Sequence, residues 1–130
     1  MKIAIVASRF HPEIVDEMVS LAEKRIKEKA TLGPVVRVPG AYDIPFGVRQ
    51  VIEKVDGVVT LGALVKGETS HDTLIAHAAA EALQHLSLQY NKPVVLGITG
   101  PDQTKEQAVG RIGRTDEIVD ACLALLQLSP

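Results

Sequence analysis

The chain is poor in the residue types that stacking platforms, covalent cross-links and nucleic-acid interfaces require. It has no tryptophan, two tyrosines and two phenylalanines among 130 residues, which excludes an extended aromatic platform for stacked bases. Cys122 is the only cysteine, so an intrachain disulfide and a cysteine-based zinc site are both excluded. The 14 basic and 16 acidic residues give a net charge of −2. They form no block of like charges, so nothing favours binding to nucleic acid or an anionic membrane.

Internal repeats and low-complexity stretches are also missing, and no targeting segment is expected. A strand-like run follows Lys2 at once, so we expect neither a signal peptide nor a transmembrane span before the fold. A length of 130 residues suits one domain with a single core. We therefore expect one domain over residues 1–130 in a soluble, cytoplasmic protein.

Short β-rich runs alternate with helical patterns along the chain. Strands are predicted at residues 2–7, 35–38, 57–61 and 94–98, and the break before the second is Gly33-Pro34. Helices are predicted at about 12–29, 44–54 and 70–90, and Pro12 suits the first position of the first one. Thr104 and Gln107 have the spacing of a capping box, which predicts a short helix that Gly113 stops, and a last helix follows. This alternation predicts a parallel sheet sandwiched between helices. In such sheets the ligand crevice lies beyond the carboxyl ends of the strands.

The segment between the third strand and the third helix contains the strongest candidate site. Thr69 and Asp72 have the spacing of a capping box, which predicts a helix start near Thr69. Backbone N–H groups at a helix start lack intrahelical partners, and the helix dipole makes them attractive to an anion. A nucleotide-binding P-loop needs lysine after the second glycine, whereas Glu68 follows Gly67 here. The alternatives left open are an anion site and a turn that only caps its helix.

Four histidines compete for a chemical role. His71 is favoured as a base, because it falls in the first turn of the third helix, where the dipole is expected to lower its pKa. His77 and His85 lie within that helix, where a structural or solvated role is expected, and His11 suits either reading. No two histidines have i, i+4 spacing, so no metal site is expected.

Two further residues, Arg111 and Phe10, are candidates for binding. Arg111 is either a solvated charge or a phosphate clamp, since a guanidinium binds phosphate through paired hydrogen bonds. It lies about 10 Å along the axis from the start of its own helix, pointing away from the other loops, which favours a site between subunits. Phe10 follows a strand and would ordinarily be core, but with so few aromatic residues we expect it to stack on a ligand.

Three blocks of sequence resemble the 6,7-dimethyl-8-ribityllumazine synthase family. They are residues 38–45 (VPGAYDIP), residues 62–71 (GALVKGETSH), and residues 93–98 (PVVLGI) followed by Glu106, Gln107, Ala108 and Arg111. The blocks have the order and spacing of the family and cover nearly the whole chain. The turn at residues 96–101 (LGITGP) resembles archaeal members most closely. Bacterial members usually have glutamate in place of Asp43 and phenylalanine in place of Leu96.

The resemblance implies a fold, a reaction and an assembly. The implied fold is a three-layer α/β/α sandwich with a flavodoxin-like four-stranded parallel sheet in the order 2-1-3-4. The implied transferase condenses 5-amino-6-(D-ribitylamino)uracil with 3,4-dihydroxy-2-butanone 4-phosphate, in riboflavin biosynthesis, and releases phosphate and water. It uses no cofactor and no metal. Family members form pentamers, some of which build icosahedral shells, with active sites at the subunit interfaces.

The resemblance also implies a role for individual residues. Those expected at the pyrimidine and its ribityl chain are Phe10, Ala41, Tyr42, Asp43, Ala63, Leu64, Val65 and Leu96. Those expected at the butanone phosphate are the backbone N–H groups of Glu68 and Thr69 together with Arg111, and His71 is expected to transfer protons. The family counterparts of Leu96 and Arg111 belong to the neighbouring subunit. Asp43 is one methylene shorter than glutamate, so its contact with the ribityl chain is expected to pass through water. Leu96 cannot stack as phenylalanine does, so the pyrimidine ring is expected to be held less tightly.

Two alternatives share the expected fold. An archaeal-type riboflavin synthase would consume the lumazine, but its members lack the Gly-Glu-Thr-x-His block that residues 67–71 form here. A non-enzymatic flavodoxin-like module would carry FMN or accept a phosphoryl group. An FMN carrier needs a hydroxyl- and glycine-rich loop after the first strand, but residues 8–11 are SRFH. A phosphoryl acceptor needs acidic residues at the ends of the first and third strands, and neither end has one.

Overall fold

The computed structural model describes residues 1–67 and 70–128, so Glu68, Thr69, Ser129 and Pro130 lie outside the described residues. Within these ranges the strands are β1 (Lys2–Ser8), β2 (Thr31–Val38), β3 (Gly57–Ala63), β4 (Val94–Val95) and β5 (Ile98–Thr99). The α-helices are α1 (Pro12–Lys29), α2 (Ile44–Val51), α3 (His71–Tyr90), α4 (Lys105–Gly110) and α5 (Thr115–Leu126). Short 3-10 turns occupy Ala41–Asp43, Ile52–Lys54 and Ile112–Arg114.

The strands form a parallel sheet in the order β2-β1-β3-β4, and β5 also pairs with β3. From Ile3 to Ser8, β1 is fully buried, and β3 is buried along its whole length. One face of the sheet packs against α1 and α5 around Met18 and Cys122, and the other packs against α2 and α3 around Val48 and Leu83. This arrangement confirms the predicted three-layer α/β/α sandwich and its strand order.

The second strand begins earlier than predicted. Gly33 and Pro34 do not end the preceding helix but lie inside β2. The pairing with β1 passes from Ile3–Leu32 to Ile5–Val35, so β2 contains one extra residue at this point. Proline cannot donate a ladder hydrogen bond, but β2 is an edge strand, where proline and bulges are tolerated.

The predicted fourth strand at residues 94–98 is not continuous. Val94 and Val95 pair with the start of β3, whereas Ile98 and Thr99 pair with its end. At the break, the Thr60 hydroxyl donates to the carbonyl oxygen of Val95 (2.7 Å) and accepts from the N–H of Gly97 (3.2 Å). A Cβ on Gly97 would lie 2.0 Å from the carbonyl oxygen of Thr60, so only glycine allows this approach. The break leaves the side chain of Leu96 half exposed.

The helix boundaries follow local rules that the sequence displays. Pro12 is the first residue of α1, as predicted. Thr104 and Gln107 form the predicted capping box of α4 through two hydrogen bonds of 2.8 and 3.1 Å. The predicted stop at Gly113 is wrong by a few residues, because α4 ends at Gly110 and Gly113 lies in a 3-10 turn. No helix in the described ranges is both long enough and apolar enough to cross a membrane.

Candidate functional site

The carboxyl ends of the strands meet at one edge of the sheet, as parallel pairing requires. A cavity of about 230 Å³ opens there, between the turn after β1, the loop after β3 and the start of α3. Its lining residues are Phe10, His11, Ala63, Leu64, Val65, Gly67, His71, Asp72 and Ile75. Five of the residues expected at the substrates, from two separate stretches of the chain, are thus adjacent in space. We call this cavity the strand-end cavity.

Phe10 presents an aromatic ring at the mouth of the strand-end cavity. It is 57% exposed, and its ring meets the ring of His11 edge-on, with 4.9 Å between centroids. The turn is anchored because the N–H of Arg9 donates to the carbonyl oxygen of Val38 (2.7 Å). The carbonyl oxygen of His11 then accepts from Ile14 and Val15 and begins α1. An exposed ring on an anchored turn is suited to stacking on a planar ligand.

His71 is the first residue of α3, and its side chain is exposed beside the strand-end cavity. The prediction that this residue lies in the first helical turn is confirmed. The predicted helix start near Thr69 is two residues early, and Thr69, like Glu68, lies outside the described residues. The N-cap residue is Ser70, which makes no side-chain capping hydrogen bond.

The predicted capping box pairs Thr69, which lies outside the described residues, with Asp72. The Asp72 side chain is 8% exposed, and its carboxylate accepts a hydrogen bond of 2.9 Å from the backbone N–H of Asp102. The turn after β5 passes close enough to α3 for the buried Asp72 carboxylate to satisfy that N–H. Asp72 therefore fixes the start of α3 to the neighbouring turn.

The start of the loop after β3 is hydrogen-bonded to β5 and to the turn that follows it. The N–H of Leu64 donates to the carbonyl oxygen of Thr99 (2.9 Å), and the N–H of Lys66 donates to that of Gln103 (2.8 Å). An exposed ion pair of 3.1 Å joins Lys66 to Asp102. These contacts hold the backbone at one wall of the strand-end cavity in a defined position.

The residues after β2 lie at the same edge of the sheet but do not line the strand-end cavity as the structure describes it. Ala41 is buried, whereas Tyr42 is 67% exposed. The Asp43 carboxylate accepts from the N–H of Gly40 (3.0 Å) through one of its two oxygens. This bond tightens the 3-10 turn and orients the carboxylate.

Leu96 and Arg111 lie in a different cavity. It has a volume of about 410 Å³ and is formed by the end of the sheet, the turn after α4 and the start of α5. Leu96 is half exposed in it, and Arg114 and Glu117 add further charges to its wall. We call it the Arg111 cavity. Neither Leu96 nor Arg111 is among the described residues that line the strand-end cavity.

A small charged cluster borders the turn that carries Phe10. Glu13 lies 3.2 Å from the ammonium of Lys105 and 3.8 Å from the ring of His11. A backbone hydrogen bond at Glu13 and then the Lys105 ammonium lower the pKa of this carboxyl. Across the described ranges no group of three or more histidine, cysteine, aspartate or glutamate side chains is placed to hold a metal ion.

Gln103 is the residue of this region that no pattern in the sequence singles out. It is 1% exposed, and its side chain reaches the loop after β3, Thr99 and Arg111. A glutamine between an aspartate and a threonine is typical of a solvated turn. Only the contact between the two loops, which is a long-range feature, buries it.

Sequence comparison adds an independent line of evidence. The family model described as 6,7-dimethyl-8-ribityllumazine synthase matches residues 1–129. Proteins of that name from Picrophilus torridus and Methanopyrus kandleri are 35% and 37% identical to the chain, covering 98% of it and 96% and 92% of their own lengths. A protein of the same name from Saccharolobus islandicus is 40% identical, over 98% of the chain and 85% of its own length. The chain belongs to the 6,7-dimethyl-8-ribityllumazine synthase family.

Proposed function

We propose that this protein is a transferase that condenses 5-amino-6-(D-ribitylamino)uracil with 3,4-dihydroxy-2-butanone 4-phosphate. The products are 6,7-dimethyl-8-(D-ribityl)lumazine, inorganic phosphate and water, in the penultimate step of riboflavin biosynthesis. The observation that carries this proposal is the meeting of Phe10 and His71 in the strand-end cavity, in a chain that matches the family along almost its full length.

The strand-end cavity suits a flat, polar heterocycle. The exposed ring of Phe10 offers a stacking face. Leu64, whose backbone position is fixed by Thr99 and Gln103, contributes backbone contacts with Ala63 and Val65. In the proposal these residues hold the pyrimidine, while Ala41, Tyr42 and Asp43 bind the ribityl chain at the adjacent end of β2. Asp43 presents an oriented carboxylate there, which suits a ligand rich in hydroxyl groups.

The start of α3 suits the phosphate-bearing substrate. A 20-residue helix directs its positive dipole end and its first backbone N–H groups toward the strand-end cavity. In the proposal Glu68 and Thr69 contribute backbone N–H groups to the phosphate. His71 stands at the same helix start and transfers protons during Schiff-base formation and phosphate elimination.

Arg111 completes the phosphate site from a neighbouring subunit in this proposal. Within one chain, Arg111 and Leu96 open into a cavity other than the one that contains His71. A guanidinium stabilises a departing phosphate through paired, charge-assisted hydrogen bonds. Cyclic assembly of identical subunits would bring the Arg111 cavity of one chain to the strand-end cavity of the next. We propose a pentamer, the smallest assembly of the family, as the catalytic unit.

The proposed reaction requires neither a cofactor nor a resident metal. The substrate amine is already a nucleophile, so catalysis comes from holding two substrates together and from stabilising the leaving phosphate. A cavity with one aromatic face, one imidazole and one helix start provides these functions.

The test is direct conversion. Purified protein incubated with both substrates should produce the absorbance of the lumazine together with an equal amount of inorganic phosphate. Lumazine offered alone should remain unchanged. Failure to form lumazine, or conversion of lumazine into riboflavin, would contradict the proposal.

A further inference from the structure

The Gln103 side chain lies between the strand-end cavity and the Arg111 cavity. Gln103 lies in the turn between β5 and α4, is 1% exposed, and has one of the largest fully buried side chains among the described residues. A buried amide is costly unless each of its polar groups has a partner. Its hydrogen bonds therefore indicate what the side chain holds in place.

Both ends of the Gln103 amide are bonded. Nε2 donates to the carbonyl oxygen of Leu64 (3.0 Å) and to the hydroxyl oxygen of Thr99 (2.9 Å). Oε1 accepts a short hydrogen bond from Nη1 of Arg111. A carbonyl only accepts and a guanidinium only donates, so chemistry fixes which end of the amide faces which partner.

The partners belong to different cavities. Leu64 lines the strand-end cavity beside Phe10 and His71. Arg111 lines the other cavity with Leu96. Gln103 is thus a single buried side chain that connects the backbone wall of one cavity to the cation of the other.

We propose that Gln103 is a positioning residue that holds Arg111 in the conformation in which it binds the phosphate-bearing substrate. This inference rests on the proposed function of Arg111 as a phosphate clamp. Arg111 follows a six-residue helix and has a long, flexible side chain, so an unrestrained guanidinium would lose conformational entropy on binding phosphate. The amide of Gln103 restrains Arg111 before the substrate arrives, and it does so without neutralising the positive charge.

Arg111 is bonded to a neutral amide, whereas in a structural ion pair it would be bonded to a carboxylate. A carboxylate at position 103 would also accept from Arg111, but it would compete with phosphate for the guanidinium and would lack a donor for Leu64 and Thr99. Two substitutions therefore test different parts of the inference. Gln103→Met removes the restraint with little change in volume, and Gln103→Glu keeps the contact but cancels the charge.

The experiment is a double-mutant cycle between Gln103 and Arg111, measured on the assembled protein. The quantities are the KM for each substrate and the inhibition constant of inorganic phosphate. We expect Gln103→Met to raise the KM for the phosphate-bearing substrate and the phosphate inhibition constant about tenfold, the scale of a lost hydrogen bond to a charged group. The KM for the pyrimidine should change much less. In an Arg111→Ala background, Gln103→Met should add no further increase.

Thr99→Val is the matched control. It removes one acceptor from Nε2 but leaves the contact between Gln103 and Arg111, so it should raise the KM for the phosphate-bearing substrate less than Gln103→Met does. Urea unfolding and light scattering identify any variant that does not fold or assemble. Gln103→Ser, which stays polar but is too short to keep the contact with Arg111, replaces Gln103→Met if that variant does not assemble, and it should also weaken phosphate binding about tenfold. Gln103→Glu tests the neutral charge separately and should weaken phosphate binding by competing for the guanidinium.

The outcomes separate the two proposals. If Arg111→Ala leaves the KM for the phosphate-bearing substrate unchanged, the clamp itself is wrong and the positioning role falls with it. If Arg111→Ala raises this KM but the Gln103 variants do not, only the positioning role is refuted. Additive effects in the double variant would also refute it, because a residue that acts through Arg111 has no effect once Arg111 is gone.

Discussion

Gly97 provides the sharpest test of how this fold brings its functional residues into place. A Cβ at this position would lie 2.0 Å from the carbonyl oxygen of Thr60, 3.1 Å from Cδ2 of Leu61 and 3.2 Å from Cγ2 of Ile118. The first contact is with backbone, which cannot rotate away as a side chain can. In Gly97→Ala the segment between β4 and β5 must therefore move away from β3 by more than about 1 Å, roughly the gap to ordinary van der Waals contact.

The cost of that movement follows from the hydrogen bonds at the break. Three bonds depend on the close approach: Gly97 N–H to the Thr60 hydroxyl (3.2 Å), the Thr60 hydroxyl to the carbonyl oxygen of Val95 (2.7 Å), and Gly62 N–H to the carbonyl oxygen of Gly97 (3.3 Å). At about 1 kcal/mol each, their loss lowers the free energy of unfolding by about 3 kcal/mol. This loss is a large fraction of the free energy of unfolding of a typical domain, which is roughly 5–15 kcal/mol.

The assay is urea unfolding at one fixed protein concentration, with Gly110→Ala as the matched control. A Cβ added to Gly110 would meet no neighbouring atom within 4 Å, and this glycine ends a short helix, so alanine should be neutral or slightly stabilising there. The reasoning would be refuted if Gly97→Ala unfolded at the same urea concentration as Gly110→Ala.

Two further predictions concern buried and paired groups. Cys122 is fully buried, and burial raises the pKa of its thiol to about 12. Because the thiolate is the reactive form, a thiol reagent should label Cys122 only after unfolding. Rapid labelling of the native protein would contradict this packing. Arg25 joins α1 to α5 through two hydrogen bonds to the Asp120 carboxylate (2.9 and 3.0 Å), and these bonds lower the pKa of Asp120. The pair therefore stabilises the fold above the unfolded pKa of about 3.9 and stops doing so as the pH falls through the lower folded value. Asp120→Asn should lower the urea midpoint slightly at neutral pH, since the pair is only partly buried and water still screens it. This difference should vanish in acid, and a difference that stayed constant with pH would exclude the ion pair as its cause.

The architecture can be predicted from local sequence patterns. Uninterrupted apolar runs mark the central strands, Pro12 marks the start of α1, and Thr104 with Gln107 marks the start of α4. Each of these signals acts over a few residues, so the sequence displays its cause directly. Strand–helix alternation and the family resemblance then lead to the strand order that the structure has.

Features that depend on contacts between distant segments differ from their predictions. Pro34 is predicted to lie in a break between elements. It is tolerated inside β2 because that strand lies at the edge of the sheet, which the local sequence does not show. Residues 94–98 have the sequence pattern of one continuous strand. The strand is broken because the Thr60 hydroxyl bonds to Val95 and Gly97, a contact between distant segments that the local pattern does not show. The Asp72 carboxylate accepts from the N–H of Asp102, which is 30 residues away in sequence, so no local pattern indicates this bond.

In the candidate site, too, some residues can be recognised from local sequence and others only from contacts between distant segments. Phe10 and His71 can be selected from their positions at strand ends, and the structure places both in the strand-end cavity. Gln103 cannot, because its importance comes from three hydrogen bonds that form only when the segments after β3, β5 and α4 are assembled.

Co-assembly of two impaired variants decides whether the active site is built from two subunits. His71→Ala and Arg111→Ala each damage every site, and in a ring of identical contacts the two residues of one site would come from different chains. If equal amounts are co-expressed and mixed at random, about a quarter of the sites contain both wild-type residues. At a low concentration of the phosphate-bearing substrate, the mixed assemblies should therefore recover about a quarter of the wild-type rate. A rate equal to the average of the two separate variants would mean that Arg111 does not act on a neighbouring subunit's site.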